Sequence, residues 1–482
     1  MIISRANKIV NQLISKQARA FSFEKAKHFK IGEIPESLKY DRPYKETILD
    51  NGIKVCSEIW PSPLCTVAAF IKCGSRSESE ETSGTAHFLE HLHFKGTKKR
   101  NRQSLELEIE NHGGQLNAYT SRENTCYTMN LFKNKLPWGV EVLSDILTQS
   151  EYSVFALNNE RNTIHTELIE TQKQSMETTI ELSHKGAFKG HQMGLPILGK
   201  ISNIMKITRD MIVDYHQTNY FGENLIVIGC GDHKHEELVD LVSKHFNKVP
   251  RKSPNPIQNL NNFTKPQFCG EFSLIQSDIH PDHLNISFLQ EAPSWIDPDY
   301  FAFLLIQRII GDKPESPLDL EITNYSELNS FQKELINFQN IQVQKGVYTP
   351  YADTALYGNY YFGDKNCLKE AFHFQQSCWE SLLVNLNDIQ IERAKKKLYI
   401  ELFNHETGND ISQAIGNHIL YLNRRIFRSE IAYRIANLSK EDIAKTIQKW
   451  CVQKPYSITV WGDTQDLEKQ IQSQNITNKP LQ

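Results

Sequence analysis

No stretch of this 482-residue chain stays apolar for the ~18–20 residues that cross a bilayer. Its most apolar runs, LIVIG and TVAAFI, have the length of core strands. Cysteine pairs at metal or redox spacing are missing too. The nine cysteines stand singly, none in a CxxC pair, which argues for reduced thiols in an intracellular compartment and against a disulfide scaffold. Positive charge is not in excess: 54 Lys and Arg against 57 Asp and Glu give a formal charge of -3, so nothing recommends nucleic acid as a partner. Acidic residues are absent from one place, the segment before Glu24. There MIISRANKIVNQLISKQARAFS carries Arg5, Lys8, Lys16 and Arg19, with Ile2, Ala6, Ile9, Val10, Leu13 and Ile14 at three- and four-residue spacing. A helix so built has one oily and one cationic face, the profile of a mitochondrial transit peptide. RAFS (Arg19–Ser22) has the form of an arginine-guided cleavage site near Phe21–Ser22, so residues 1–21 are expected to be a presequence. Taking its four positive charges from the formal -3 leaves -7, a modest acidic bias suited to cationic partners.

What remains is the composition of a globular protein, 39% hydrophobic and 23% charged, long enough for two to four domains. From residue 45 strand and helix patterns alternate. TILDNGIKVCSEIW is a hairpin around Asn51-Gly52, CTVAAFIKCGS a strand, and RQSLELEIENHGG a helix ending at a glycine pair. QLNAYTSRENTCYTMNLF follows as one bent strand or two. Next come the helix LPWGVEVLSDILTQ, a long helical pattern running from about Val154 past Met176, and the buried strand NLIVIGCGD. The stretch PRKSPNPIQNLNNFTKPQF reads as a linker over 251–268. After it the order of elements returns: HLNISFLQEAPSW echoes the AAFIKCGSRSE strand, and SITVWGDTQDL repeats LIVIGCGDHKHEEL. The expectation is an α+β fold of two tandem homologous modules, residues 45–250 and 269–482, each a mostly antiparallel sheet covered by helices.

The stretch SGTAHFLEHLHFKGT packs three histidines and one glutamate into seven residues. On a helix, His87 and His91 lie one turn apart with Glu90 on the same face. Two imidazoles with a neighbouring carboxylate suit a catalytic zinc whose third ligand comes from elsewhere. Glu90 is too near in the chain to be that ligand and is well placed to shuttle protons. Ser83 is expected to cap this helix and Gly96 to end it. His93, two residues past His91, points to another side. The repeat supplies an internal control: with Gly96 set against Gly311, His87 falls on Ala302, Glu90 on Leu305 and His91 on Ile306. Packing therefore does not require polar residues at these positions.

The pattern H-x-x-E-H marks the inverzincin peptidases. With GTAHFLEHLHFKGTKKR, GGQLNAYTSRENTCY and DYHQTNYFGENLIVIGCGD in this order, the chain resembles the M16 metallopeptidase family from about residue 45 to its C-terminus. It is most similar to the mitochondrial branch, which holds presequence-cleaving peptidase subunits and core subunits of respiratory complex III. The resemblance implies Zn2+ held by His87, His91 and, in NNERNTIHTELIE, Glu167. It places Glu90 as general base, and Glu160 as a second carboxylate supporting the site. It further implies that Glu177 and Glu181 receive a basic substrate residue, that Phe94 lines the pocket past the scissile bond, and that Asn117 and Ala118 form a strand edge along which substrate lies. The implied protein is a zinc metalloendopeptidase subunit of the mitochondrial matrix, or of the matrix side of the inner membrane if it also serves in complex III. It would cleave presequence peptides in a heterodimer with an α-type M16 subunit, whose glycine-rich loop this chain lacks. The alternative is a core subunit of the cytochrome bc1 complex that does no chemistry. His93 and His165 depart from the family pattern without removing a ligand, and DKPESPLDLEITNYSELNSFQKELINFQN departs from its small-residue-rich segment.

Overall fold

In the computed structural model the described residues are 34–254, 264–313, 330–404, 407–465, 467–473 and 476–477. The expected presequence lies outside them, as do residues 255–263 of the expected linker and residues 314–329 of the divergent stretch.

Gly52, at φ 86°, closes the turn between antiparallel strands β1 (Tyr44–Ile48) and β2 (Lys54–Ile59), as the Asn-Gly pair predicts. The chain continues through β3 (Leu64–Ile71), helices α1 (Thr85–His93) and α2 (Arg102–Asn111), β4 (Gln115–Thr120) and β5 (Thr125–Phe132). Helices α3 (Leu136–Gln149), α4 (Val154–Thr171), α5 (Ser175–Ala187) and α6 (Arg209–Asn219) precede β6 (Leu225–Gly231) and α7 (His235–His245). The first sheet has the order β1-β2-β6-β3-β5-β4, with β2 and β6 parallel and the other pairs antiparallel.

The second half repeats the frame: β7 (Phe272–Gln276), β8 (His283–Glu291), α8 (Tyr300–Ile310), β9 (Ile341–Pro350) and β10 (Ala355–Asp364). After them come α9 (Cys367–Asn385), α10 (Asp388–Phe403), α11 (Gly408–Leu422), α12 (Arg428–Ala436), α13 (Lys440–Trp450) and β11 (Ser457–Gly462). The sheet order β7-β11-β8-β10-β9, with β7 and β11 parallel, is the first order without β1. Gly231 and Gly462, equated by the repeat, both take positive φ, and an added Cβ would meet Leu64 O at 2.6 Å and His283 O at 2.3 Å. Only glycine combines that backbone with so close a neighbour strand.

One helical expectation is corrected. The pattern from Val154 past Met176 is two helices, broken at Gln172–Gln174. Neither Gly nor Pro marks the break. The end of α4 is satisfied by turn bonds from Lys173 N to Glu170 O and Gln174 N to Thr171 O, and by the Thr178 hydroxyl donating to Thr171 O. The break lets α5 leave the first half and lie on β11 and β8 of the second sheet. In exchange α11, from the second half, packs on β6 and β3 of the first. Ile411, Ile415 and Ile419 bury there against Ala68, Phe70 and Ile228, each burial contributing about 1.5–3 kcal/mol.

The exchange depends on a glycine. A Cβ at Gly416 would stand 2.5 Å from the ring of fully buried Phe70. Gly416→Ala should therefore lower stability by about 1–3 kcal/mol despite its better helix propensity, as read from thermal unfolding; an unchanged or raised melting temperature would contradict this packing.

Candidate metal centre

Helices α1 and α4 divide the site between them. Helix α1 begins at Gly84, held at φ 101° with its Cα against the Gly199 backbone, where no side chain fits. Ser83 does not cap it, contrary to expectation. Its hydroxyl is buried without a protein partner, and Glu78 takes the role: its two carboxylate oxygens accept from Gly84 N at 2.9 Å and Ala86 N at 2.7 Å. Burial pushes the Glu78 carboxyl up to about 8 against those two donors. The helix stops at His93, and Gly96 follows at φ 121°.

His87 and His91 meet as the four-residue spacing requires, their rings 4.6 Å apart and their Nε2 atoms 3.3 Å apart. Glu167, from the far end of α4, closes the triangle, with Oε1 3.6 Å from His87 Nε2 and Oε2 3.2 Å from His91 Nε2. A zinc ion ~2.0–2.1 Å from each of several tetrahedral donors spaces them about 3.3 Å apart, so the donor set fits one such ion by type and by spacing. Among the described residues these are the one group of three His, Cys, Asp or Glu side chains whose donors all lie within 4.8 Å. A larger hollow of about 680 Å³, lined by Trp295, Phe301 and Arg425 among others, lies in the second half away from these donors.

Glu160, 3% exposed, accepts from His91 Nδ1 at 2.9 Å and pairs with Lys95 Nζ at 2.9 Å. It thereby keeps the proton on Nδ1 and leaves the Nε2 lone pair for a ligand bond. Burial opposes its ionisation, but His91 and Lys95 outweigh it and hold the carboxyl below its usual range. Hydrogen bonds from His87 and His91 likewise hold Glu167 well below the ordinary carboxylate range. Glu90 does not join the triangle. Its Oε2 accepts from Thr120 Oγ1 at 2.5 Å, at the end of edge strand β4.

The remaining candidates are placed as follows. Phe94, half-buried at the end of α1, packs against the first core, its ring 6.3 Å from Tyr127. Asn117 and Ala118 lie on β4 at the sheet edge, with Asn117 Oδ1 accepting from Ala118 N at 2.9 Å. Glu177 is exposed on α5, whereas Glu181 is already engaged, 2.9 Å from Arg122 Nη2 and accepting from Ile197 N. Sequence reasoning missed Thr120, Lys95 and Glu78. Lys95 stands four residues after His91, and Thr120 shares a strand face with Ala118, so spacing marks both weakly; nothing marks Glu78.

Residues 54–200 match the insulinase (peptidase family M16) model, and residues 206–398 match that of the M16 peptidase inactive domain. The chain belongs to the M16 peptidase family. It is 35% identical over 425 residues to mitochondrial-processing peptidase subunit beta of Neurospora crassa, covering 87% of this chain and 88% of that one. The human protein of the same name is 33% identical over 434 residues, covering 89% and 86%. A chain of complex III2 from Candida albicans with Inz-5 bound superposes with a TM-score of 0.77 at 16% identity, covering 89% of this chain and 99% of that one. A protease from Helicobacter pylori gives 0.74 at 18%, covering 87% and 99%. At such identities these structures show the shared fold. The M16 division matches the internal control: Ala302, Leu305 and Ile306, opposite the histidines and Glu90, are buried apolar residues of α8.

Burial alone would lower the His91 pKa, but the Glu160 and Glu167 carboxylates raise it from 6.5 to about 9 in the metal-free site. The pairing therefore stabilises the metal-free fold below pH 6.5, and that stabilisation is lost as pH rises through about 9. Binding zinc must displace this proton, so affinity should climb across the same window with one proton released per ion. Competition titrations at several pH values read this directly, and Glu160→Gln should move the window toward neutral pH.

Proposed function

We propose that this chain is the catalytic, β-type subunit of a zinc metalloendopeptidase that removes N-terminal presequences from proteins imported into mitochondria. The observation that carries the reading is the His87, His91 and Glu167 triangle with Glu90 beside it, present in the first half and replaced by packing residues in the second. Similarity to processing-peptidase beta subunits across most of the chain supports the substrate class.

In this reading His87 Nε2, His91 Nε2 and Glu167 hold zinc. The bound ion supplies Lewis-acid polarisation of the scissile carbonyl and makes water acidic enough to attack near neutral pH. Thr120 steadies Glu90 Oε2, leaving Oε1 to accept the proton of the attacking water and deliver it to the departing amine nitrogen. Glu160 keeps His91 in the ligating tautomer. Substrate adds to the β4 edge by backbone hydrogen bonds, which accept many sequences; Asn117 and Ala118 lie along it and Phe94 lines the pocket beyond the cut. Glu177 supplies a carboxylate for a substrate guanidinium, with Glu181 behind it. An α-type M16 subunit closes the chamber in the matrix. A place among the core subunits of respiratory complex III, on the matrix face of the inner membrane, is part of the proposal, and co-purification with haem-containing subunits tests it separately. A subunit without chemistry has no physical use for the triangle, as α8 illustrates.

Glu90→Gln should keep its zinc, by metal analysis, yet cut kcat on a presequence peptide by about 10²–10⁴ in the presence of the partner subunit. Unchanged turnover would eliminate the base assignment. Glu177→Gln should raise KM by about 10–150-fold for peptides with arginine near the cut, the loss of one charge-assisted hydrogen bond of ~1.5–3 kcal/mol. Peptides with norleucine there should show no change.

A further inference from the structure

His93 is neither a ligand nor a proton carrier in the mechanism, yet it sits on the metal helix, 0% exposed. Both of its ring nitrogens are occupied: Nδ1 lies 2.7 Å from the Tyr127 hydroxyl and Nε2 2.8 Å from the Tyr152 hydroxyl. Tyr127 belongs to β5, beneath the helix, and Tyr152 directly precedes Ser153, whose side chain caps α4 by accepting from Ala156 N. We propose that His93 is a positioning residue for the metal centre, and that its bonds to Tyr127 and Tyr152 fix the angle between α1 and α4, the helices that share the ligands. The inference rests on the zinc reading above.

The backbone at Tyr152 supports it. Its φ of 47° lies in the left-handed region, which a bulky side chain rarely adopts. Such a conformation persists where the surroundings over-determine it, and here they do. His93 holds the hydroxyl, Arg209 Nε donates to the carbonyl at 3.0 Å, and the His216 ring lies 5.7 Å from the tyrosine ring. This residue turns the chain into α4. Glu167 lies about 20 Å further along that helix at 1.5 Å per residue, so a tilt of about 5° at Tyr152 moves its carboxylate by about 2 Å. That is a whole metal–ligand bond length.

The ties from His87 and His91 to Glu167, and from His91 and Lys95 to Glu160, lie inside the site and depend on its charges. The tie through His93 lies outside it and involves no carboxylate. The repeat again serves as a control. The position opposite His93 is Arg308, which reaches across to α10 in an ion pair with Glu401 and, among the described residues, hydrogen-bonds to no tyrosine. Among the described residues, the half without the triangle lacks the strut as well.

The test uses the full chain and four variants: His93→Ala, His93→Gln, Tyr152→Phe, which removes one oxygen and keeps the ring, and the double variant of His93→Ala with Tyr152→Phe. Zinc affinity is read by chelator competition, ligand geometry by the visible spectrum of the cobalt-substituted protein, and metal-free melting temperature in parallel. Zinc affinity should fall about 10–100-fold in His93→Ala and in Tyr152→Phe, with a shifted cobalt spectrum and kcat reduced more than KM is raised. The double variant should be little worse than either single one, because both cut the same strut. His93→Gln, able to reach one hydroxyl, should recover part of the affinity. Folded variants that melt lower but bind zinc with wild-type affinity and spectrum would reduce His93 to a packing residue and overturn the proposal, as would strictly additive losses. If His93→Ala does not fold, Tyr152→Phe decides alone. A wild-type chain that binds no zinc removes the metal reading itself; a wild type that binds beside variants that bind equally removes only this inference.

Discussion

Two imidazole nitrogens held 3.3 Å apart across one helical turn, with carboxylates on two sides, set the terms for everything near them. Lone pairs so close repel unless a cation or a proton lies between them, and the Glu160 and Glu167 carboxylates favour the protonated ring by raising the His91 pKa against its burial. The surroundings answer it in layers. Glu160 is itself held by Lys95, Glu78 caps the backbone of the histidine helix, and His93 braces its far end against Tyr127 and Tyr152. Glu160, Glu78, His93 and both tyrosines are buried, so their contacts act in a low dielectric where misplacement is costly.

The second half carries the same frame without that demand, and the comparison separates the polar residues the frame does not need from those that pack it. Where α1 has histidines, α8 has apolar residues that fill a core. Yet the halves do not work apart. Helix α5, which bears Glu177 and Glu181, lies on the second sheet, and α11 covers the first. A buried ionic cluster joins them further: Arg76, fully buried, pairs with Glu123 at 2.6 Å and with Asp353 of the second half at 2.7 Å. Removing one member of such a cluster leaves a buried charge uncompensated, which makes the junction specific as well as strong. The proposed metal ligands thus belong to the first half, while the carboxylates proposed for substrate recognition sit on a helix packed against the second sheet.

Much of the fold was legible. Asn51-Gly52, the repeated glycine that ends LIVIGCG and SITVWG, and the period of the apolar residues are local signals, and the strands and most helices follow them. The break at 172–174 was not, because no residue there forbids a helix; the need for α5 to reach the other sheet breaks it. The Ser83 cap failed for a related reason. Glu78, six residues before Gly84, reaches the same N–H groups through a loop whose path no local rule describes.

By itself the sequence determined the elements, their duplication, and the pairing of His87 with His91, since one helical turn requires only local geometry. It determined the family too, through motifs in order. The tertiary structure alone decided that Thr120 steadies Glu90, that Lys95 shares Glu160 with His91, that Arg122 occupies Glu181, and that His93 faces two tyrosines instead of a metal. These contacts join residues 30 to 69 positions apart. Packing of whole elements sets such distances, and a linear pattern holds no measure of them.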